Sequence, residues 1–137
     1  MLFTESLKKN YEFKRLYRRG KSEVGPYVAV YCMKNGMEIN RLGVTTGTKL
    51  GKAVVRNLVR RRIKEAYRLS EKRMNRGFDI VVVARGRSVS ADYHKIEKDL
   101  LSRLKNLGVI TADPKIEPMD PNKGIGSVSD DSEGKES

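Results

Sequence analysis

One cysteine and one histidine are all that 137 residues offer as soft metal ligands. Cys32 alone cannot close an internal disulfide, and with His94 it leaves too few ligands for a zinc site. Cys32 reads as a small buried hydrophobe on a strand. Carboxylates are scarce too, 17 Asp and Glu against 29 Lys and Arg, for a net charge of +12. None are paired at a local spacing suited to metal-dependent phosphodiester chemistry, and His94 stands outside any nucleophile–base arrangement. The expected set of catalytic and metal-binding residues is therefore empty. No run approaches the roughly 18 uninterrupted apolar residues of a membrane span, and the first residues lack a signal-peptide apolar block. The chain reads as cytoplasmic, with no membrane partner, and as one ordinary domain with room for a tail. Its cation excess points to a polyanion, nucleic acid foremost.

The charge is unevenly placed. Residues 113–137 hold seven acidic and three basic side chains, three of the four prolines and no aromatic residue. Such a segment buries too little apolar surface to offset its ordering entropy, so a disordered acidic tail is expected there. Residues 1–112 keep 26 basic and 10 acidic residues, a net +16, and form the expected RNA-binding domain.

Along that domain, Asn10 as N-cap, Tyr11, Phe13, Leu16 and Tyr17 at helical spacing, and Gly20 as terminator predict a short first helix. Lys21 to Val24 suit a short edge strand. Tyr27 to Met33 and Ile39 to Thr45 read as strands, and Asn35-Gly36 between them predicts a hairpin turn. Residues 52–69 are helical in pattern. Phe78 to Ala84 is a compact β-branched run, expected as a strand buried on both faces. Tyr93, Ile96, Leu100, Leu104 and Leu107, after Ser90 and before Gly108, predict an amphipathic last helix. The order α-β-β-β-α-β-α implies an α+β sandwich, a four-stranded sheet with helices.

Lys52, Arg56, Arg60, Lys64 and Arg68 recur every four residues, so at about 100° per residue they form one drifting stripe, with Asn57 and Arg61 beside it. Val55, Leu58, Val59, Ile63 and Ala66 gather opposite, where they can pack on a sheet. Arg62 falls among them and must snorkel past the core edge. Most charge runs are solvated faces, but such faces mix signs to gain i,i+4 pairs worth roughly 0.2–0.5 kcal/mol each. From Lys49 to Arg73 there are ten basic residues and two acidic ones. Phosphates would relieve that repulsion. The segment from Gly47 to Ala53 is one residue short of a nucleotide-binding P-loop and has Ala53 where a hydroxyl is required. Gly51 serves instead to turn the backbone into the helix.

Phe13 and Tyr17 lie one turn apart on the first helix, and Tyr27, Tyr31 and Met33 alternate on one strand face. Rings beside cations suit single-stranded nucleic acid, on which each base can stack for roughly 1–3 kcal/mol. The competing reading, ordinary core, is weakest for Tyr17 and Tyr31, which have polar tips as well as stacking faces.

These pieces together resemble the bacterial ribonuclease P protein family. LGKAVVRNLVRRRIKE (50–65) resembles its RNR-motif helix, NYEFKRLYRRGKS (10–22) its first helix, RLGVTTGTKLGKA (41–53) its strand and turn into the motif helix, and GFDIVVVAR (77–85) its last strand. The likeness runs from about Ser6 to Leu107 in the right order. It implies the small, non-catalytic protein subunit of a ribonucleoprotein endonuclease that removes the 5′ leader of precursor tRNA. The catalytic RNA and precursor tRNA would be its partners, one protein per RNA, with magnesium on the RNA and none held by the protein. It also implies an unusual left-handed β-α-β crossover through the motif helix, where about 98% of such connections are right-handed. By matching position, Arg56, Asn57, Arg60, Arg61 and Lys64 would face the catalytic RNA, with Lys49 and Lys52 at the turn and Arg68 continuing the stripe. Phe13, Tyr17 and Tyr31 would line the cleft for the leader. Gly47, Thr48 and Arg62 depart from the family's usual residues. A non-enzymatic ribosomal-type RNA-binding protein would account for the same charge and fold class. A protein-only nuclease would need carboxylates gathered only in three dimensions.

Overall fold

A computed structural model describes residues 1–111, so the acidic tail expected from residue 113 lies outside the described residues. In chain order the elements are β1 (Thr4–Ser6), α1 (Asn10–Arg19), β2 (Lys21–Val24), β3 (Val28–Lys34), β4 (Asn40–Thr45), α2 (Ala53–Ser70), β5 (Phe78–Ala84) and α3 (Tyr93–Asn106). From α1 onward this is the expected α-β-β-β-α-β-α order. The sheet, however, has five strands rather than four, in the order β1-β4-β5-β3-β2. The added strand, Thr-Glu-Ser, shows no apolar alternation and pairs in parallel with β4, Thr4 opposite Asn40.

The hairpin expected at Asn35-Gly36 does not form. β5 inserts between β3 and β4, antiparallel to the first and parallel to the second. A strand whose two faces are both apolar is most stable with both edges paired and both faces covered, and that outweighs a local turn preference. Asn35-Gly36 opens a wider loop instead, with the Asn35 amide bonded to the Gly77 carbonyl at 2.9 Å and Gly36 at φ +73°.

The result is three layers. α2 and α3 cover one face, burying Val59, Ile63, Ala66, Tyr67, Ile96, Leu100 and Leu104 against Val28, Val30, Cys32, Leu42, Ile80 and Val82. α1 crosses the other face, with Leu16 against Leu7 and Val81. The helix starts differ by one or two residues from expectation. Lys9 is the N-cap of α1 and Asn10 its first helical residue, while Asp92 rather than Ser90 caps α3 by accepting from the Lys95 amide at 3.0 Å.

Candidate nucleic-acid interface

α2 begins where Gly51, at φ +132°, lets the chain swing out of a short 3-10 turn (Thr48–Leu50). Its buried side is Val59, Ile63, Ala66, Tyr67 and Ser70. Two residues expected on that side stay near solvent, Leu58 at 38% exposure and Val55 half-buried. The apolar stripe drifts around the helix, so its first turns stay near solvent and full burial begins at Val59. Arg62 does snorkel: it is half-buried, and its guanidinium donates to the Ala91 carbonyl at 3.0 Å.

Asn57, Arg60, Arg61, Lys64 and Arg68 line one shallow groove of about 320 Å³. Lys49 and Lys52 are exposed at the turn before it, and Arg56 is half-buried with no hydrogen-bond partner for its Nε. Among the described residues no carboxylate pairs with Arg56, Arg60, Arg61 or Lys64; Arg60 bonds only to Thr46 Oγ1 at 2.8 Å and Asn57 Oδ1 at 3.4 Å. Arg68 differs. Its Nε and terminal nitrogen donate to Glu65 at 3.0 and 2.7 Å, which holds the Glu65 carboxyl below its ordinary range. Arg56, Arg60, Arg61 and Lys64 are therefore four uncompensated cations, followed along the helix by one locally neutralised pair.

On the opposite face of the sheet lies an aromatic cluster. Tyr17 and Tyr31 meet edge to face, ring centroids 5.0 Å apart and 79° between planes, with Tyr17 still 42% exposed. Phe13 lies over β4 so closely that a Cβ on Gly43 would fall 2.5 Å from its ring. Met33 and Val83, both half-buried, complete the apolar floor. Tyr27 departs from the expected strand face: it precedes β3, its amide donates to Asp99 at 2.9 Å, and Arg87 stands over its ring. The two faces meet at the end of β4. The Tyr17 hydroxyl lies 3.4 Å from Thr45 Oγ1 on one side, and Arg60 bonds Thr46 on the other. A single strand stacked on the tyrosines would thus emerge beside the N-terminal half of α2.

Two anchoring groups escape a reading of the sequence. Arg41 bridges Asp79, through two hydrogen bonds of 2.8 and 2.6 Å, and Glu12 on α1 at 2.6 Å. Hydrogen bonding to Asp79 pushes the already charged guanidinium further up, so the bridge stays ionic. Glu71, buried just after α2, accepts from the Leu2 and Phe3 amides at 2.7 and 3.0 Å and from the Thr4 hydroxyl at 2.6 Å. Burial works against its charge, yet these donors hold its carboxyl below the ordinary range. The Tyr67 hydroxyl, 2.9 Å from Thr4 Oγ1, ties β1 to α2 a second time. The available signals were faint: Gly43 inside a strand, which hints at a close approach, and two acids in a basic run. Among the described residues no three His, Cys, Asp or Glu side chains are grouped to hold a metal ion, and no helix is long and apolar enough to cross a membrane.

Comparison with known proteins bears on the same residues. A family model described as Ribonuclease P matches residues 1–108. A ribonuclease P protein component from Clostridium botulinum (strain 657) is 49% identical over 104 residues, which span 75% of this chain and 94% of that protein. One from Natranaerobius thermophilus is 39% identical over 100 residues, 73% of this chain and 87% of the relative. Among solved structures, the RNase P protein of Staphylococcus aureus aligns with a TM-score of 0.72 at 32% identity, covering 77% of this chain and 97% of that one. That of Thermotoga maritima gives 0.66 at 33%, covering 72% and 93%.

Proposed function

The chain belongs to the ribonuclease P protein family, and from that premise we propose how its two faces divide the binding of RNA. It acts as the non-catalytic protein subunit of a ribonucleoprotein endonuclease and supports removal of the 5′ leader from precursor tRNA by a catalytic RNA. In our reading Lys49, Lys52, Arg56, Asn57, Arg60, Arg61 and Lys64 meet the phosphates of that RNA, with Arg68 a lesser contributor because Glu65 already holds it. Phe13, Tyr17 and Tyr31 take the unpaired leader by stacking. One protein binds one RNA, in the cytoplasm, and magnesium belongs to the RNA. Residues 1–112 carry all of this binding.

The observation that carries the reading is the junction at Thr45 and Thr46, which joins an aromatic cleft to four cations without carboxylate partners. Neutral hydrogen bonds cannot offset like charges spaced at i,i+4, whereas phosphates can, and Arg offers them a bidentate fork. Leader and catalytic RNA would then be held on adjoining surfaces of one small body.

A left-handed path from β4 through α2 to β5 is part of this reading, and the strand register supports it. Asn35 donates to Gly77 and Arg85 to Tyr27, so odd-numbered residues of β5 bond β3 and even-numbered ones turn their backbone groups to β4. The even side chains, Ile80 and Val82, face α2 and α3. An L-residue in an ascending strand, side chain toward the viewer, points its backbone polar groups to the right. Seen from the helices, β4 thus stands right of β5, and the crossover passes over the near face leftward.

Reconstitution with the catalytic RNA at low magnesium tests the functional reading. Adding the protein is expected to raise leader cleavage and to tighten precursor tRNA more than mature tRNA. Tyr31→Ala should weaken the precursor by roughly 1–3 kcal/mol, the value of one stacked base, and leave mature tRNA unchanged. Equal losses on both substrates would remove the cleft from the reading.

A further inference from the structure

Toward the sheet edge opposite β1, away from the motif helix and sharing Met33 with the aromatic cluster, lies a pocket of about 430 Å³. That volume is within the roughly 300–1,000 Å³ typical of small-ligand sites. Its construction follows from strand register. Lys21 pairs with Cys32 and Lys34 with Phe78, so all four side chains emerge on the face that α3 covers. α3 ends at Asn106 before reaching them, the chain turns at Gly108 with φ +83°, and Leu107 is left as a wall above a floor of Phe78 and buried Cys32. Arg19, the last residue of α1, adds a third cation to the rim.

Among the described residues Arg19, Lys21 and Lys34 form no ion pair. Glu23, on the same strand as Lys21, is taken by Arg103 and Asn106 at 3.2 and 3.0 Å. Burial keeps the Cys32 thiol protonated, so the floor adds no negative charge. Three free cations around half-buried Phe78 and Leu107 suit a ligand that is anionic at one end and flat and apolar at the other. A bare anion would leave the apolar floor unused, and an apolar ligand would leave the cations unpaired.

We propose that this pocket binds one unstacked nucleotide of an RNA strand, its base against Phe78 and Leu107 and its phosphate on Arg19, Lys21 and Lys34. The site is independent of the assignment of the leader cleft and of α2. Full-length isotope-labelled protein is titrated with a 5′-phosphorylated trinucleotide RNA, with its abasic analogue and with inorganic phosphate, and amide resonances are followed. Saturable shifts are expected at Lys34, Phe78 and Gly108 with the trinucleotide. The exposed charge reversals Lys21→Glu with Lys34→Glu should weaken those shifts at least tenfold and leave shifts near Tyr17 and Tyr31 in place, while Tyr17→Ala should do the converse. Leu107→Ser, at the rim, should weaken the trinucleotide but not phosphate. Absence of shifts at the three amides, their persistence in the double charge reversal, or equal shifts with the abasic analogue or phosphate would each overturn the proposal.

Discussion

Phe13 can approach the sheet this closely only because residue 43 has no side chain; its ring edge occupies the space a Cβ would need, 2.5 Å from the nearest ring carbon. Gly43→Ala should therefore lift the ring toward the cleft at an overpacking cost of about 1–3 kcal/mol. Urea unfolding would show the loss, and the ratio of precursor to mature tRNA affinity should fall with it, since the lifted ring would intrude on the proposed leader cleft. An unchanged ratio would mean that Phe13 is core alone. Glu71 makes a second prediction at this scale. Its folded carboxyl titrates below the ordinary value, so its stabilisation is complete above the unfolded pKa of about 4.3 and is lost as pH falls through the folded one. Glu71→Gln should be less stable than the parent at pH 7, and the gap should narrow as pH drops below about 4.3. A gap independent of pH would contradict a charged Glu71.

At the scale of elements, α2 is the proposed binding device, and its cations are not equivalent. If Arg60 and Arg61 each neutralise a phosphate, Arg60→Ala with Arg61→Ala should lower the slope of log affinity against log salt for the catalytic RNA by roughly two. Removing Glu65 and Arg68 together should leave the slope nearly unchanged, because that pair is already neutral. A similar drop in both variants would refute the distinction. Elements were also where the sequence was most legible. The stripe, the doubly buried β5 and the amphipathic α3 are periodic features, and periodicity is local. The Asn35-Gly36 hairpin misled because turn chemistry is local too, while β5 was placed between β3 and β4 by burial of both its faces. β1 left no trace because its order comes from residues more than 60 positions away, Tyr67 and Glu71. Phe13, Tyr17 and Tyr31 were legible as candidates; the contact between Tyr17 and Tyr31, made across 14 positions of chain, was not.

Across the whole molecule, one ion bridge ties α1 to the sheet beneath the proposed cleft. α1 touches the sheet through a small cluster, Leu7, Leu16 and Val81 with Phe13, and Arg41 fixes its orientation by holding Glu12 on the helix and Asp79 on β5 at once. Asp79 is 2% exposed and Glu12 7%. Truncating their common partner leaves two buried carboxylates without their cation, a change that costs about 3–5 kcal/mol for such pairs. Arg41→Met should cost that much in urea unfolding, and Glu12→Gln with Asp79→Asn in the same chain should restore most of it, because polar amides can share the space that like charges cannot. Restored stability need not restore function. The neutral triple variant lacks the bidentate geometry that sets the angle of α1, so Tyr17 should lose its register with Tyr31 and Thr45, and precursor tRNA should weaken while the salt slope for the catalytic RNA holds. If the triple variant instead binds precursor as the parent does, then packing of Leu16 and Phe13 alone orients α1, and the buried charges serve another end.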